Sequence, residues 1–599
     1  MPRTGILNER LMLYILAGVV GLASGLTAVL FRWLVLGVGT LFATIPVLFG
    51  PIGWIIAPIV GGFVVAIIVV KYAPEAKGHG VPEVMVSYST QGGKMRVRVP
   101  LLKSIASAFS IGSGGSCGRE GPIAQIGAGL GSTIAGMANM NRRQTKTLLV
   151  CGLASGVSAT FNAPLGGMIF GIEVIAGGII GFSIIPVILS CVVATAVSLS
   201  ILGAEVSFQA PYFSLQTPLE LVFYLILGLL LGIGSVLWAR GFYKIEDVLD
   251  KLPVSKYLLP AIGGFLTGVL LLLTIYLESV FDYSGLFRPE EPYFPAIGGI
   301  GYAFTDAVLI GTVTLVALLA FGFLKALATS FTLGSGGSGG IFAPTLSIGA
   351  AFGGAFGLVF SFLFPWAITQ PMAFALVGMA ALFAGSGRAP ITCIVIIMEM
   401  TNDYSLILPL MISVSASFLV ASLLDEESIY TLKLTRRGII IRQGTHVGTL
   451  KAIGVEEVMT KNPTILRPSM SKQDVLNIID KTQHTKYPVV DMDGNVIGTL
   501  ITEDLYHEVE ESTEQTVQQL MNPNFLHLAP SSTMDSALSA MMERNEGHAV
   551  IVNPSAPAKM LGFVTKADVL RAYELAIFRL QQQGYDIDEI GPAEIIDVA

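Results

Sequence analysis

The chain is poor in charge. Asp, Glu, Lys and Arg make up 13% of its 599 residues, about half the share usual in soluble domains, which excludes a single soluble globular fold. It holds 4 cysteines and 6 histidines. The cysteines (Cys117, Cys151, Cys191 and Cys393) have unrelated spacings, so they form neither a disulfide framework nor a metal-ligand pattern and read as small buried residues. No block of basic residues accompanies the net charge of −7, so there is no footprint for nucleic acid. A nucleophile–base set is absent as well, and an enzyme is not expected. The start, MPRTGILNER, runs into an apolar span without a small-residue cleavage site, the pattern of a first membrane helix and not of a removed leader.

Apolar residues are abundant: 53% of the chain is hydrophobic and the mean hydropathy is +0.71. From about Leu11 to Leu424, runs such as LMLYILAGVVGLASGLTAVLF and LVFYLILGLLLGIGSVLW follow one another. Each is long enough to cross a hydrocarbon core of about 30 Å as a helix. From about Gln443 onward, charged and apolar residues mix with Pro, Asn and Asp turns. This describes a polytopic protein of the lipid bilayer carrying a soluble C-terminal domain. Segments such as GPIGWIIAPIVGG, GFSIIPVILSC and TLGSGGSGGIFAPTLSIGAAFGG are short or broken by glycine and proline. A membrane tolerates irregular backbone only where protein buries it or where it lines a polar cavity. Helices that stop partway across are therefore expected, as in a channel or transporter.

Two stretches read almost as copies: GSGGSCGREGP at 112–122 and GSGGSGGIFAP at 334–344. A second pair follows in the same order. CGLASGVSATFNAPLGGMIFGIEVI (151–175) matches VGMAALFAGSGRAPITCIVIIMEMT (377–401), with Gly152 against Gly378, Ala163-Pro164 against Ala389-Pro390 and Glu173 against Glu399. Two collinear pairs indicate an internal duplication, and broken helices in duplicated halves point to a site near the bilayer midplane. A glycine-rich turn ending on proline suits a helix N-terminus, whose free N–H groups favour an anion. Two such ends meeting would hold a small anion with neutral donors, weakly enough to release it. Glu120, a carboxylate within the apolar region, would sit where that anion prefers to be. It reads either as a tethered competitor that gates the site or as the structural ion-pair partner of Arg119.

At these residues the chain resembles the CLC family of chloride channels and proton/chloride exchangers. The family's GREGP is Gly118-Arg119-Glu120-Gly121-Pro122, and its GxFxP is Gly340-Ile341-Phe342-Ala343-Pro344. SIYTLKL puts Tyr430 where the family has its anion-facing tyrosine, although on composition alone Tyr430 reads as an interfacial aromatic. The resemblance implies Glu120 as the gating carboxylate and an anion site of His79, Gly80, Arg119, Gly121, Ile341, Phe342 and Tyr430, with no cofactor required and no metal. It also implies a homodimer with one chloride pathway per subunit. Two departures stand out. The family's GSGIP is here Gly78-His79-Gly80-Val81-Pro82, with His79 replacing a serine, either facing the anion or turned away from it. In FGIEV (170–174), Glu173 matches the first glutamate of the proton-coupled members, but Val174 stands at the second, proton-carrying one. Valine cannot carry a proton, so the expectation is a passive channel; the alternative is a proton-coupled exchanger, with Glu173 as the proton-path candidate.

Residues 454–511 and 512–576 carry a second, unrelated repeat, each copy with an amphipathic helix (DVLNIID, DSALSAMM), a short strand (YPVVD, HAVIVN), a second strand and a closing helix. This resembles a tandem CBS pair. In that module the final strand-to-helix turn takes adenine nucleotides, which points to Thr565 and Asp568 in the second copy and to Asp504 in the first, where Ile501 replaces the hydroxyl residue. The same residue types also make an ordinary helix cap. The expected fold is thus an all-α polytopic membrane domain of two inverted repeats (1–430), a linker (431–453), an α/β CBS pair and a tail (577–599). The basic segments NRRQTK and TLKLTRRG would face the cytoplasm, placing the CBS pair there and the helices in the cell membrane. A distant alternative, a CBS-regulated metal-ion transporter, would need converging carboxylates, and Glu120, Glu173 and Glu399 are isolated in the sequence.

Overall fold

Hydrocarbon leaves no water to satisfy backbone groups, so the apolar region has to be helical wherever it meets lipid. The structure, a computed structural model, describes residues 3–177, 184–203, 207–208, 211–213, 215, 217–283, 294–439, 450, 453–503, 505, 515–544 and 546–582. The chain forms two compact units, the first extending to Arg437.

The first unit is built from α1 (Arg3–Phe49), α2 (Gly53–Ile67), α3 (Val81–Ser89), α4 (Arg98–Gly112), α5 (Glu120–Met137), α6 (Arg142–Phe161), α7 (Pro164–Phe170) and α8 (Ile184–Leu202). These are followed by α9 (Glu220–Asp250), α10 (Leu259–Val280), α11 (Tyr302–Ile310), α12 (Leu315–Gly334), α13 (Phe342–Leu363), α14 (Ala373–Gly387), α15 (Pro390–Thr401), α16 (Ile407–Leu424) and α17 (Thr431–Thr435). Among the described residues, 7 segments are long and apolar enough to cross a membrane. The helices too short to cross are α3, α7, α11 and α15. Of the segments read as broken, the GSGG loop at 334–341 does interrupt the chain between α12 and α13, whereas GPIGWIIAPIVGG runs into the continuous α2 and the described part of GFSIIPVILSC lies within the long helix α8.

The duplication is visible in the packing. α1 lies against α6 and α8 as α9 lies against α14 and α16, and α5 against α6 as α13 against α14. The two halves are inverted, as one pair of contacts makes plain. Glu173, on a wide turn (Gly171–Ala176) that continues α7, accepts hydrogen bonds from the N–H groups of Ile391 and Thr392 at the start of α15, at 3.2 and 2.8 Å. Glu399, near the end of α15, accepts from Leu165 and Gly166 at the start of α7, at 3.1 and 2.6 Å. Each end thus meets the other's beginning, and α7 and α15 run antiparallel. Both carboxylates occupy helix N-termini, where negative charge is favoured.

Small residues let the helices of each half touch backbone to backbone. A Cβ on Gly127 of α5 would come within 2.0 Å of the Gly152 carbonyl of α6, and one on Gly152 within 2.0 Å of the Gly127 carbonyl. The same reciprocal pair recurs as Gly349 and Gly378, at 2.5 Å each way.

Where a linker was expected from 431, the chain instead continues as α17, whose Thr431, Lys433 and Leu434 are buried. The sequence reading ended the membrane domain at the last long apolar run, and a five-residue helix carries no such signal.

The C-terminal unit contains α18 (Val455–Val458), α19 (Lys472–Thr482), the antiparallel pair β1 (Lys486–Val490) and β2 (Val496–Ile501), and α20 (Val517–Leu520). A three-stranded sheet follows: β3 (His527–Leu528) runs parallel to β4 (His548–Asn553), which pairs antiparallel with β5 (Ala556–Thr565). α21 (Met534–Glu543) and α22 (Lys566–Gln582) complete it. Read along the chain, the two copies are consecutive blocks; in space they exchange their opening segments. Ile453, Val455 and Val458 pack into the core of the second copy with Met534, Ile551 and Val564. Val517 packs into the core of the first with Tyr487, Val489 and Leu500. Glu457 of α18 pairs with Arg579 of α22, and that guanidinium, with the Gly454 N–H, holds the Glu457 carboxyl below its usual range.

The glycine contacts generate a prediction. Gly127→Leu forces a side chain into the Gly152 carbonyl and should destabilise the membrane unit by at least about 1–3 kcal/mol, the usual range for overpacking. Gly136→Leu, at a position with nothing within 4 Å, should be neutral. Thermal unfolding of the detergent-purified proteins checks both, and equal melting temperatures would refute the close crossing.

Candidate functional site

The two glycine-rich loops meet. The Gly118 N–H donates to the Gly340 carbonyl at 2.7 Å and the Gly340 N–H to the Gly118 carbonyl at 2.6 Å. Around this pair the side-chain bonds repeat in mirrored order. The Ser116 N–H donates to Thr332 Oγ1 (3.1 Å) as the Ser338 N–H donates to Ser110 Oγ (3.0 Å). The Ser116 hydroxyl lies 2.9 Å from that of Thr329, as that of Ser338 lies 2.9 Å from that of Ser107. A third loop joins them, the Gly78 N–H donating to the Gly337 carbonyl at 2.8 Å. Space is minimal here: a Cβ on Gly121 would come within 2.3 Å of the His79 carbonyl, and one on Gly340 within 2.8 Å of the Gly121 nitrogen.

The lashing brings the starts of α3, α5 and α13 to one place, beside the residue that precedes α17. His79, Glu120, Gly121, Ile341, Phe342 and Tyr430 line one small cavity, with Phe161 and Phe170 closing its apolar side. Five of the seven residues expected at the anion site and the expected gate Glu120, drawn from four separate segments, are therefore neighbours. The first N–H groups of a helix have no intrahelical partner, so the cavity is edged by free donors and partial positive charge. Its remaining walls are apolar, with Val81 and Val157 beside the phenylalanines, and Phe342 is backed by Phe383 at 4.4 Å between ring centroids. Such a surface suits a small, weakly hydrated anion more than a cation.

The other expected residues lie around this cavity or away from it. Gly80 precedes α3 with a φ of 85°, a left-handed conformation that favours glycine, and shapes the turn without lining the cavity. Arg119 turns aside, its guanidinium 5.5 Å from the centre of the Tyr302 ring. Glu173 caps α15 as described. In the C-terminal unit, Asp568 accepts from the N–H and hydroxyl of Thr565 at 2.9 and 3.0 Å, a helix-cap arrangement. Asp504 lies outside the described residues.

Three side chains that matter here were not singled out from the sequence. The Tyr302 hydroxyl donates to Glu120 Oε1 at 2.6 Å, while Oε2 lies so close to Gly118 that a Cβ there would come within 2.0 Å of it. The Tyr243 hydroxyl lies 3.1 Å from His79 Nε2 and donates to the Ile429 carbonyl at 2.6 Å. Lys103, fully buried, donates to the carbonyls of Ala76 and Gly78 at 3.0 and 2.7 Å. Its counterpart in the second half, Lys325, clamps the carbonyls of Ile297 and Gly299, both at 3.1 Å. A closer alignment of the halves carries a signal for two of them: Gly299-Ile300-Gly301-Tyr302 answers Gly78-His79-Gly80-Val81, and each lysine stands nine residues before the GSGG loop. Tyr243 has no such signal.

Comparison with known proteins agrees with this architecture. The sequence profile of the family described as "Voltage gated chloride channel" matches residues 61–422, and that of the CBS domain matches 455–511 and 517–575. The chain is 33% identical over 393 residues to the protein named "H(+)/Cl(-) exchange transporter ClcA" of Vibrio parahaemolyticus, covering 64% of this chain and 80% of that protein. Among solved structures, it resembles a slow cyanobacterial Cl−/H+ antiporter with a TM-score of 0.61 and 28% identity, covering 71% of this chain and 97% of that one. A eukaryotic CLC transporter shares the fold with a TM-score of 0.62 at 21% identity, over 94% of this chain and 98% of that one. With a matched profile spanning most of its membrane unit, and the family's loops joined around one cavity, the chain belongs to the voltage-gated chloride channel (CLC) family.

Proposed function

We propose that the protein exchanges chloride for protons across the cell membrane, as a homodimer with its CBS pair in the cytoplasm. The observation that carries the reading is the cavity between helix N-termini with the Glu120 carboxylate in it, which accepts a hydrogen bond from the Tyr302 phenol. A carboxylate at that place competes with a mobile anion for the same donors. Taking up a proton cancels its claim, so proton and anion occupancy are linked at one point. The sequence alone favoured a passive channel because Val174 replaces a proton-carrying glutamate. The names of the relatives favour exchange: the Vibrio protein is named for H+/Cl− exchange and the cyanobacterial structure is described as an antiporter. Exchange is therefore the reading we adopt, with Glu120 as gate and the backbone at Gly121, Ile341 and Phe342, together with Tyr430, as the anion's surroundings.

The deciding experiment records chloride and proton movement together in liposomes under a chloride gradient. Protons driven uphill by chloride are expected, and chloride flux with no proton movement would return the reading to a channel. Two variants test the gate in the same assay. Glu120→Gln, a permanent mimic of the protonated state, should keep chloride moving, stop proton movement and abolish dependence on external pH; unchanged coupling would remove Glu120 from this role. Tyr302→Phe deletes the donor that holds the carboxylate. Turnover should rise about tenfold, the equivalent of one charge-assisted hydrogen bond of about 1.5 kcal/mol, while coupling is retained. An unchanged rate would mean that Tyr302 does not restrain the gate.

A further inference from the structure

His79 replaces a serine, and the two residue types offer an anion different things. A serine hydroxyl can rotate its proton toward an anion at any pH. An imidazole can do so only through a nitrogen that carries a proton, and which nitrogen does is set by the partner of the other. Here that partner decides the matter. Tyr243 has one hydroxyl proton, and the Ile429 carbonyl, 2.6 Å away, can only accept. That proton is therefore committed to Ile429, and in the 3.1 Å contact between Tyr243 and His79 the imidazole must donate from Nε2. A neutral His79 then carries its lone pair on Nδ1. This atom is buried and has no hydrogen-bond partner among the described residues, in a side chain only 1% exposed that lines the cavity. With Nε2 engaged, Nδ1 is the only ring nitrogen left to an occupant of that cavity.

We propose that His79 makes anion binding in the cavity proton-linked: chloride is bound with one proton taken up at His79 Nδ1. A lone pair facing chloride repels it, whereas an N–H donates to it. The charges around His79 reinforce the linkage. Lys103 of α4, Lys433 of α17 and Arg437 act on it electrostatically, Glu120 of α5 shares its cavity, and the phenols of Tyr243 and Tyr430 are its aromatic neighbours. Glu83 and Glu246 act in turn on Lys433. In an empty cavity, burial and then the three cations oppose a positive charge on the ring; a chloride ion against Nδ1 offsets both and lets the proton on. Proton occupancy therefore follows anion occupancy.

This inference rests on the exchange reading for its use. A proton on Nδ1 sits in the same cavity as the Glu120 carboxylate, which can accept it. As the chloride departs the carboxylate returns to its place, takes the proton from Nδ1 and later releases it, so the chloride leaves alone. The chain thereby regains a titratable group on the pathway that Val174 cannot supply.

The test measures binding, so it is separable from transport. Calorimetric chloride titrations in buffers of different ionisation enthalpy count the protons taken up per chloride, using the full-length protein with Glu120→Gln so that the gate carboxylate contributes none. About one proton per chloride is expected, with affinity weakening about tenfold per pH unit on the alkaline side, the slope of a single linked proton. Adding His79→Ser supplies a hydroxyl that needs no proton; chloride should still bind, with no uptake and no pH slope. Adding Tyr243→Phe frees the tautomer, so that a neutral ring can donate from Nδ1, and uptake should fall well below one while chloride binding persists. Chloride binding without uptake in the Glu120→Gln protein, or uptake that survives His79→Ser, overturns the proposal and leaves the transport reading standing. No chloride binding in any of these proteins overturns both.

Discussion

The site depends on two backbone hydrogen bonds. Gly118 and Gly340 each give an N–H to the other's carbonyl, and this pair lies where the two inverted halves meet. Everything with a functional reading is fastened to it: α5 starts two residues after Gly118, α13 two residues after Gly340, and the loop before α3 is tied to the same strip through Gly337. A side chain at Gly340 would push the strips apart, because its ideal Cβ falls on the Gly121 nitrogen, and one at Gly118 would displace the Glu120 carboxylate. The glycine-rich repeats are thus a demand for contact between backbones more than for flexibility. Backbone donors also cannot be titrated, so the cradle itself is indifferent to pH and any proton dependence has to come from the few side chains added to it.

Those side chains are where the two halves stop being copies. The buried lysines Lys103 and Lys325 and the reciprocal carboxylates Glu173 and Glu399 keep the symmetry and serve architecture: the lysines clamp carbonyls of the loops, the glutamates cap helices. His79 faces Ile300 across the relation, Val81 faces Tyr302, and Glu120 faces Phe342. Each asymmetric position brings a proton-bearing group to one half and an inert one to the other. Duplication supplied a symmetric cradle, and substitutions of this kind made its two halves chemically unequal.

This division also explains what could be read from the sequence. The duplication and the two meeting loops were legible because glycine and proline mark backbone geometry locally, and because the same marks occur twice in order; the individual residues of the cavity, Tyr430 above all, came from the resemblance to a known family. Tyr302 and Tyr243 were not, since each acts through one hydroxyl delivered from a distant helix, and a lone tyrosine in an apolar run resembles any other. Glu173 was read only as a proton-path candidate, and its three donors on α15, the third being the Thr392 hydroxyl at 2.6 Å, carried no signal in the spacing. The boundary at 430 failed because α17 is too short to leave a periodic signal. In the C-terminal unit the repeat was plain, but the exchange of opening segments was not: local patterns give each element its type and say nothing about which of two similar cores an element joins.

That exchange makes the CBS pair one object thermodynamically. Val455 completes a core whose members from the second copy begin at Leu526, and Val517 completes one whose members from the first copy end at Leu505, so neither copy has a finished interior alone. The two cannot melt in succession as beads on a string. Whatever loosens one copy, a cavity, a strained turn or a bound molecule, is felt in the other with no message passed along the chain, because each core is completed by a segment from the other copy. A module so constructed answers its environment as a single element with one threshold.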